Sequence, residues 1–171
     1  MRRSTILQIS ALAIPLLALG PVVAFGQTIH VGGAYSTHVE EPGIMVGGYV
    51  PVAGVIQAGG EFTWFFVEDA GAASFNLFTI DINGRYPVLQ SENGGPTVEV
   101  IAGLNILRWS GDYGDSTPGF DFATSSTDIG LNAGATAGYD LGPVGLFGKV
   151  HAVIGGDSNG VNFGVGVSKA L

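Results

Sequence analysis

Seven charged or ionisable side chains fall on the polar positions of alternating apolar–polar stretches: Glu61, Asp81, Arg85, Glu99, Asp140, Lys149 and His151. Carboxylates mixed with guanidinium, ammonium and imidazole are the material of an ion-pair network, because a charge removed from water needs an opposite charge and hydrogen bonds beside it. The expectation is a set of interior charges that satisfy one another, with Glu61 and Arg85 meeting across neighbouring stretches. A gated ion path through the same residues is the alternative.

Other constellations carry less chemistry. Ser36, His38 and Glu40 stand at alternate positions and invite comparison with a Ser–His–carboxylate hydrolase. Side chains at i and i+2 on one strand, however, lie about 6.5–7 Å apart, beyond direct hydrogen bonding between short groups. No catalytic residue is assigned, and His38 is expected at a rim. His30 and His151 share the inward parity without a third ligand at metal-site spacing, so no metal is assigned. Asp112, Asp115, Asp121 and Asp128, interleaved with Gly111, Gly114 and Gly119, form an acidic loop that lacks the ordered ligand positions of an EF-hand. No helix follows the glycines, so no phosphate-binding loop and no cofactor are expected.

The elements that must position these residues have a period of two. Eight alternating stretches are read: Thr28 to Val39, Ile44 to Val52, Val55 to Val67, Asn76 to Tyr86, Thr97 to Trp109, Asp128 to Leu141, Val144 to Ile154, and Val161 to Leu171. Ile44, Val46, Val50 and Val52 share the apolar face of the second, with Met45, Tyr49 and Pro51 as the competing set; the fourth is expected to extend past Pro87. The connections alternate between tight turns such as Ala53-Gly54 and Gly142-Pro143 and longer acidic ones. The longest of these span 68–75 and 110–127.

Composition narrows the class. The 171 residues are 46% hydrophobic and only 12% charged, with 29 Gly, no Cys and a formal charge of −8. This excludes a disulfide scaffold and a Cys-based metal site, as well as a disordered chain. The acidity argues against nucleic acid. Residues 1–26, with Arg2 and Arg3 before an apolar run broken by Pro15 and Gly20-Pro21, read as a secretory signal peptide cleaved after Gly26. Residues 27–171 then hold four Lys/Arg against 14 Asp/Glu, a charge of −10.

The polar rows are Gly, Asn, Thr and Ser, which is poor material for a water-facing coat and good material for a crowded lumen. Arg108 and Lys169 are the two strand cations on the apolar face, close to the read strand ends, where a lipid-side cation costs little. The apolar faces are therefore assigned to hydrocarbon. A sheet in lipid must close, since open edges have no water to pair with. The fold class is all-β: an eight-stranded antiparallel up-and-down transmembrane barrel over 27–171, preceded by the signal peptide.

The signal peptide, the eight alternating strands, the tight Gly142-Pro143 turn into Val144-Gly145-Leu146-Phe147-Gly148-Lys149 and the strand at the C-terminus together resemble the small outer-membrane barrels of the OmpA/OmpX type, a porin-family barrel domain. The final residue, Leu171, departs from the aromatic usual there. The resemblance implies a monomer in the cell outer membrane of a Gram-negative envelope. It would contact outer-membrane lipid, lipopolysaccharide and the barrel-assembly machinery, with an extracellular ligand reached through 68–75 and 110–127. The role expected is structural or surface-contacting, non-enzymatic, with a lumen too narrow for a wide pore. The alternatives are a lipid A-modifying hydrolase or acyltransferase, a soluble periplasmic barrel with an apolar ligand, and a narrow ion channel.

Overall fold

A computed structural model describes residues 27–68, 73–91, 95–113, 122–156 and 159–171. The signal-peptide reading, and parts of both long connections, lie outside these residues. Eight strands follow in order: β1 (Thr28–Ser36), β2 (Glu41–Ala53), β3 (Ile56–Phe65), β4 (Ala73–Gln90), β5 (Pro96–Tyr113), β6 (Phe122–Asp140), β7 (Gly145–Ile154) and β8 (Gly160–Ala170). Each pairs antiparallel with its sequence neighbours, and β1 pairs with β8, closing the barrel. Closure satisfies the edge N–H and C=O groups that an open sheet would leave unpaired.

The period of two sorts the side chains between two environments. Ile44, Val46 and Val50 point outward and are exposed, while Met45 and Tyr49 on the same strand are each only 1% exposed. The apolar outer face read for the second stretch is the one observed. In β4, Thr79, Asp81, Asn83 and Arg85 are buried in the lumen while Ile80 and Ile82 face out. Leu77, Ile101 and Val153 also turn inward, so the lumen holds apolar side chains besides its polar ones.

Turn chemistry closes the tight end. Gly54 and Gly142 take positive φ of 54° and 98°. Asp140 Oδ1 accepts from the Gly142 N–H at 2.7 Å, an Asx-type turn that sets up the β6–β7 hairpin. At the loop end the chain turns at Thr37–Glu40, with the Glu40 N–H on the Ser36 carbonyl at 2.8 Å and Glu40 at φ 61°.

Three boundaries differ from the sequence reading. β1 stops at Ser36 instead of Val39, because that turn replaces the extended chain. β4 does run past Pro87, to Gln90, with a register shift between Pro87 and Leu89 that accommodates a residue unable to donate to the ladder. The stretch 110–127 is mostly strand: β5 continues to Tyr113 and β6 begins at Phe122, paired throughout. The apolar alternation fades there, but hydroxyl and aromatic residues such as Ser110, Tyr113 and Thr124 keep the ladder. β4, β5 and β6, at 18, 18 and 19 residues, thus rise above the rest of the barrel.

The lumen is crowded at Gly47, where a Cβ would stand 2.6 Å from the Gly60 carbonyl oxygen, 2.7 Å from Glu61 Cγ and 2.8 Å from His30 Cε1. At the outward Gly148 a Cβ meets nothing within 4 Å. Gly47→Val should therefore destabilise the barrel by about 1–3 kcal/mol through overpacking. Gly148→Ala should leave it unchanged or slightly more stable, since Gly in a strand interior carries an entropic penalty. Urea unfolding followed by tryptophan fluorescence measures both, and equal effects at the two positions would contradict the inward and outward assignment.

Candidate functional site

The lumen is organised around Glu61. The register sets Glu61 of β3 directly opposite Asp81 of β4, an arrangement of like charges that is destabilising unless cations intervene. They do. Lys149 reaches across the lumen from β7 to pair with Glu61 Oε2, and its Nζ lies 4.0 Å from Asp81 Oδ2. Arg85, on β4, places Nη2 3.3 Å from Glu61 Oε1 and Nη1 3.3 Å from Glu99 Oε2. One guanidinium therefore bridges two carboxylates, which its planar fork of donors allows. The guanidinium carbon lies 3.5 Å from the centre of the Tyr49 ring, a cation–π contact.

Hydroxyl, amide and imidazole groups complete the set. The Tyr49 hydroxyl donates to Glu61 Oε1 at 2.5 Å and is itself approached by the Asn83 amide at 3.4 Å. Asp81 Oδ1 accepts from the amides of Asn105 (2.6 Å) and Asn132 (2.9 Å), the latter reaching in from β6. His30 Nε2 lies 3.7 Å from Glu61 Oε2, and His151 Nε2 lies 3.8 Å from Asp81 Oδ2. The His30 ring stacks on Tyr49 and meets Phe147 edge-on. Glu61 is only 2% exposed and Lys149 6%, so these are charges held out of bulk water. A small cavity at the loop end of the cluster is lined by Thr63, Thr79, Asp81, Lys149, His151 and Asn162.

Of the seven residues read as an interior network, the structure brings together Glu61, Asp81, Arg85, Glu99, Lys149 and His151. Asp140 stands apart from them. It has the inward parity, but it is the last residue of β6, exposed, and its carboxylate is used by the Gly142 turn. Parity assigns a face but not a depth along the strand. Sequence reasoning did not place Tyr49, Asn83, Asn105, Asn132 or His30 in the network. The signal was present for the three Asn, which share the inward parity of Asp81 and Glu99. For Tyr49 it was the set Met45, Tyr49 and Pro51, which faces the lumen once Ile44, Val46 and Val50 face out.

Ser36, His38 and Glu40 do not line one face. Ser36 ends β1 and is buried, and the turn at Thr37–Glu40 takes the other two out of the strand. Among the described residues no three His, Asp or Glu side chains converge as metal ligands. The carboxylates are instead engaged by cations and amides. What the cluster does chemically is to join β2, β3, β4, β5, β6 and β7 through side chains that cross the lumen.

Solved structures share this architecture. The N-terminal β-barrel domain of Pseudomonas aeruginosa OprF superposes with a TM-score of 0.66 at 12% identity, over 85% of this chain and 97% of that one. Ail, the attachment invasion locus protein of Yersinia pestis, in complex with the heparin analogue sucrose octasulfate, gives 0.63 at 11% identity, over 86% and 100%. Neisserial surface protein A gives 0.59 at 19% identity, over 85% and 95%. No protein-family model and no curated protein matches the chain. At these identities the likeness is one of fold, and the fold is the closed eight-stranded antiparallel barrel of small outer-membrane proteins.

Lys149 is the ammonium between Glu61 and Asp81; without it Glu61 keeps Arg85, but among the described residues Asp81 has no other Lys or Arg beside it. Lys149→Met should cost about 3–5 kcal/mol, the range for leaving a buried charge, here Asp81, without its partner. Adding Glu61→Gln to Lys149→Met should return a large part of that loss. The measurement is urea unfolding of the two variants in detergent micelles. A single variant as stable as the wild type would show that the cross-lumen pair contributes nothing.

Proposed function

We propose that this protein is a bacterial outer-membrane β-barrel with a structural or surface-contacting, non-enzymatic role, its lumen closed by the Glu61 cluster. The observation that carries the reading is the inverted distribution of side chains. Among the described residues, thirty large apolar side chains are exposed on the outside and six are buried, while Glu61, Asp81, Arg85 and Lys149 are inside. Soluble monomers rarely expose contiguous apolar patches beyond a few hundred Å². Here exposed apolar side chains stand on all eight strands, with Leu131 61% and Val165 67% exposed.

The outward aromatics support the same placement. Near the loop end Tyr35 pairs with Phe163 and Trp64 with Phe78; near the tight end stand Tyr86 and Tyr139. Outer-membrane barrels carry aromatic girdles at both interfaces of an apolar band about 25 Å tall. Phe78 and Tyr86 are eight residues apart on one strand, about 27 Å at ~3.4 Å per residue and about 20 Å once tilted by ~40°.

On this reading outer-membrane lipid and lipopolysaccharide surround the rows, the barrel-assembly machinery inserts the chain, and the protein acts as a monomer. The connections in 68–75 and 110–127, together with the raised ends of β4, β5 and β6, are the surface offered to an extracellular ligand. Neighbours of the same fold include proteins named for attachment and for the cell surface. Side chains such as Lys149 and Arg85 that cross the lumen support a barrel too narrow to pass sugars.

Vesicle flotation and permeation test the reading together. The protein should float with lipid vesicles, resist extraction by alkaline carbonate, and leave vesicles impermeable to monosaccharides. Recovery from cells in the aqueous fraction without detergent would overturn the membrane placement, and sugar-driven swelling would overturn the closed lumen.

A further inference from the structure

Asp81 uses its two carboxylate oxygens unequally. Oδ1 accepts from the Asn105 and Asn132 amides at 2.6 and 2.9 Å. Oδ2 faces Lys149 Nζ at 4.0 Å and His151 Nε2 at 3.8 Å, both beyond hydrogen-bonding distance. All three side chains are withdrawn from solvent, at 2–3% exposure. A buried charge needs hydrogen bonds as well as an opposite charge. The backbones cannot close the gap. Asp81 is fixed on β4 by its pairs with β3 and β5, and Lys149 and His151 are fixed on β7 by theirs with β6 and β8.

The small cavity at the loop end of the cluster lies at this gap, since Asp81, Lys149 and His151 all line it, with hydroxyls from Thr63 and Thr79 and the amide of Asn162. Its volume of about 10 Å³ is room for the centre of one water molecule. The imidazole gives a second sign of an unmade contact. His151 Nδ1 is buried with no hydrogen-bond partner among the described residues, and its ring belongs to the lining.

We propose that this cavity is a binding site for a single water molecule, held between Asp81 Oδ2 and Lys149 Nζ with the His151 imidazole beside it. Polar atoms about 4 Å apart both come within ~2.8 Å of one water placed between them and to one side. Charge selects the occupant. The ammonium repels a metal cation, the carboxylate repels an anion, and the polar lining disfavours an apolar guest. Water accepts from the ammonium and donates to the carboxylate. That leaves one hydrogen and one lone pair for the imidazole and the threonine hydroxyls. Asn162 brings the last strand into the set, its amide lying 3.2 Å from His151 Nε2. The water therefore extends hydrogen bonding from the Glu61 cluster to β8, the strand that closes the barrel on β1.

Water–protein Overhauser spectroscopy of the full chain in detergent micelles tests this. The reporter is the double variant Thr63→Val with Thr79→Val, whose methyl groups face the cavity without a hydroxyl whose exchange imitates bound water. These methyl groups should show a water cross-peak of opposite sign in the laboratory and rotating frames, the mark of a water that stays bound. Replacing Thr63→Val by the bulkier Thr63→Ile should abolish the peak and lower the urea midpoint, because an ordered water displaced by an apolar group takes its hydrogen bonds with it. A raised midpoint is the result for a dry cavity that has been filled, and it would overturn the site. Absence of the peak in the reporter, or its persistence after Thr63→Ile, would overturn it as well. Dialysis into salt-free buffer should leave the peak unchanged, whereas a peak seen only without salt would assign the cavity to an ion. The wild-type Thr63 and Thr79 methyl groups carry the same readout where a variant does not fold.

Discussion

The carboxylate of Glu61 is the point on which the lumen depends. Groups from four other strands converge on it: His30 from β1, Tyr49 from β2, Arg85 from β4 and Lys149 from β7. A buried carboxylate is tolerated only while such partners surround it, and those partners exist only when the sheet has curled into a closed cylinder. Local pairing supplies Arg85 and Tyr49, one strand away on either side. Lys149 arrives only from the opposite wall. The ion pair thus reports closure of the whole barrel, and it links the longest-range step of folding to the satisfaction of its most costly group.

That arrangement also explains the glycine content. Eight strands enclose a space that side chains just fill, and the lumen must hold Tyr49, Arg85, Lys149, Met45 and two imidazoles. Room for them comes from the wall positions beside them. Gly47 leaves space for His30 and Glu61, and Gly164 leaves space for the Met45 methyl group, which a Cβ there would approach to 2.5 Å. The rows that looked too small and too uncharged to coat a soluble protein are small because their neighbours are large.

Much of this was legible in the sequence, and the parts that were not share a cause. Alternation in β2, β3 and β4 assigns the correct face to Ile44, Glu61, Asp81 and Arg85, because a face meeting an apolar environment selects strongly at every second residue. Alternation cannot say how deep a residue lies, which is why Asp140 read as a lumen charge and proved to be a turn residue. Nor can it follow a strand whose two faces see similar surroundings. The ends of β5 and β6 from Ser110 to Tyr113 and from Phe122 to Thr127 are paired without the apolar pattern, and they read as loop. The turn after Ser36 was hidden for the converse reason: His38 and Glu40 keep the parity of a strand by coincidence, while the backbone has already folded back through Glu40 at positive φ.

The mismatch between pattern and pairing is itself informative. Hydrogen bonding between β4, β5 and β6 continues from Phe78, Arg108 and Thr127 up to Ala73, Tyr113 and Phe122. The apolar face stops at the first of these rows. Pairing needs only neighbouring backbones, whereas alternation needs two unlike environments, one on each side of the sheet. Where only the first persists, the outward face carries Asn76, Ser110 and Ser125, an amide and two hydroxyls, while Phe75 and Trp109 still stack on each other. The level at which alternation ends in a continuous ladder therefore marks a change in the character of the outer face. The row holding Trp64, Phe78 and Arg108 lies on it: two aromatics and a guanidinium, each with an apolar body and a polar or polarisable part, at the one height where both are useful.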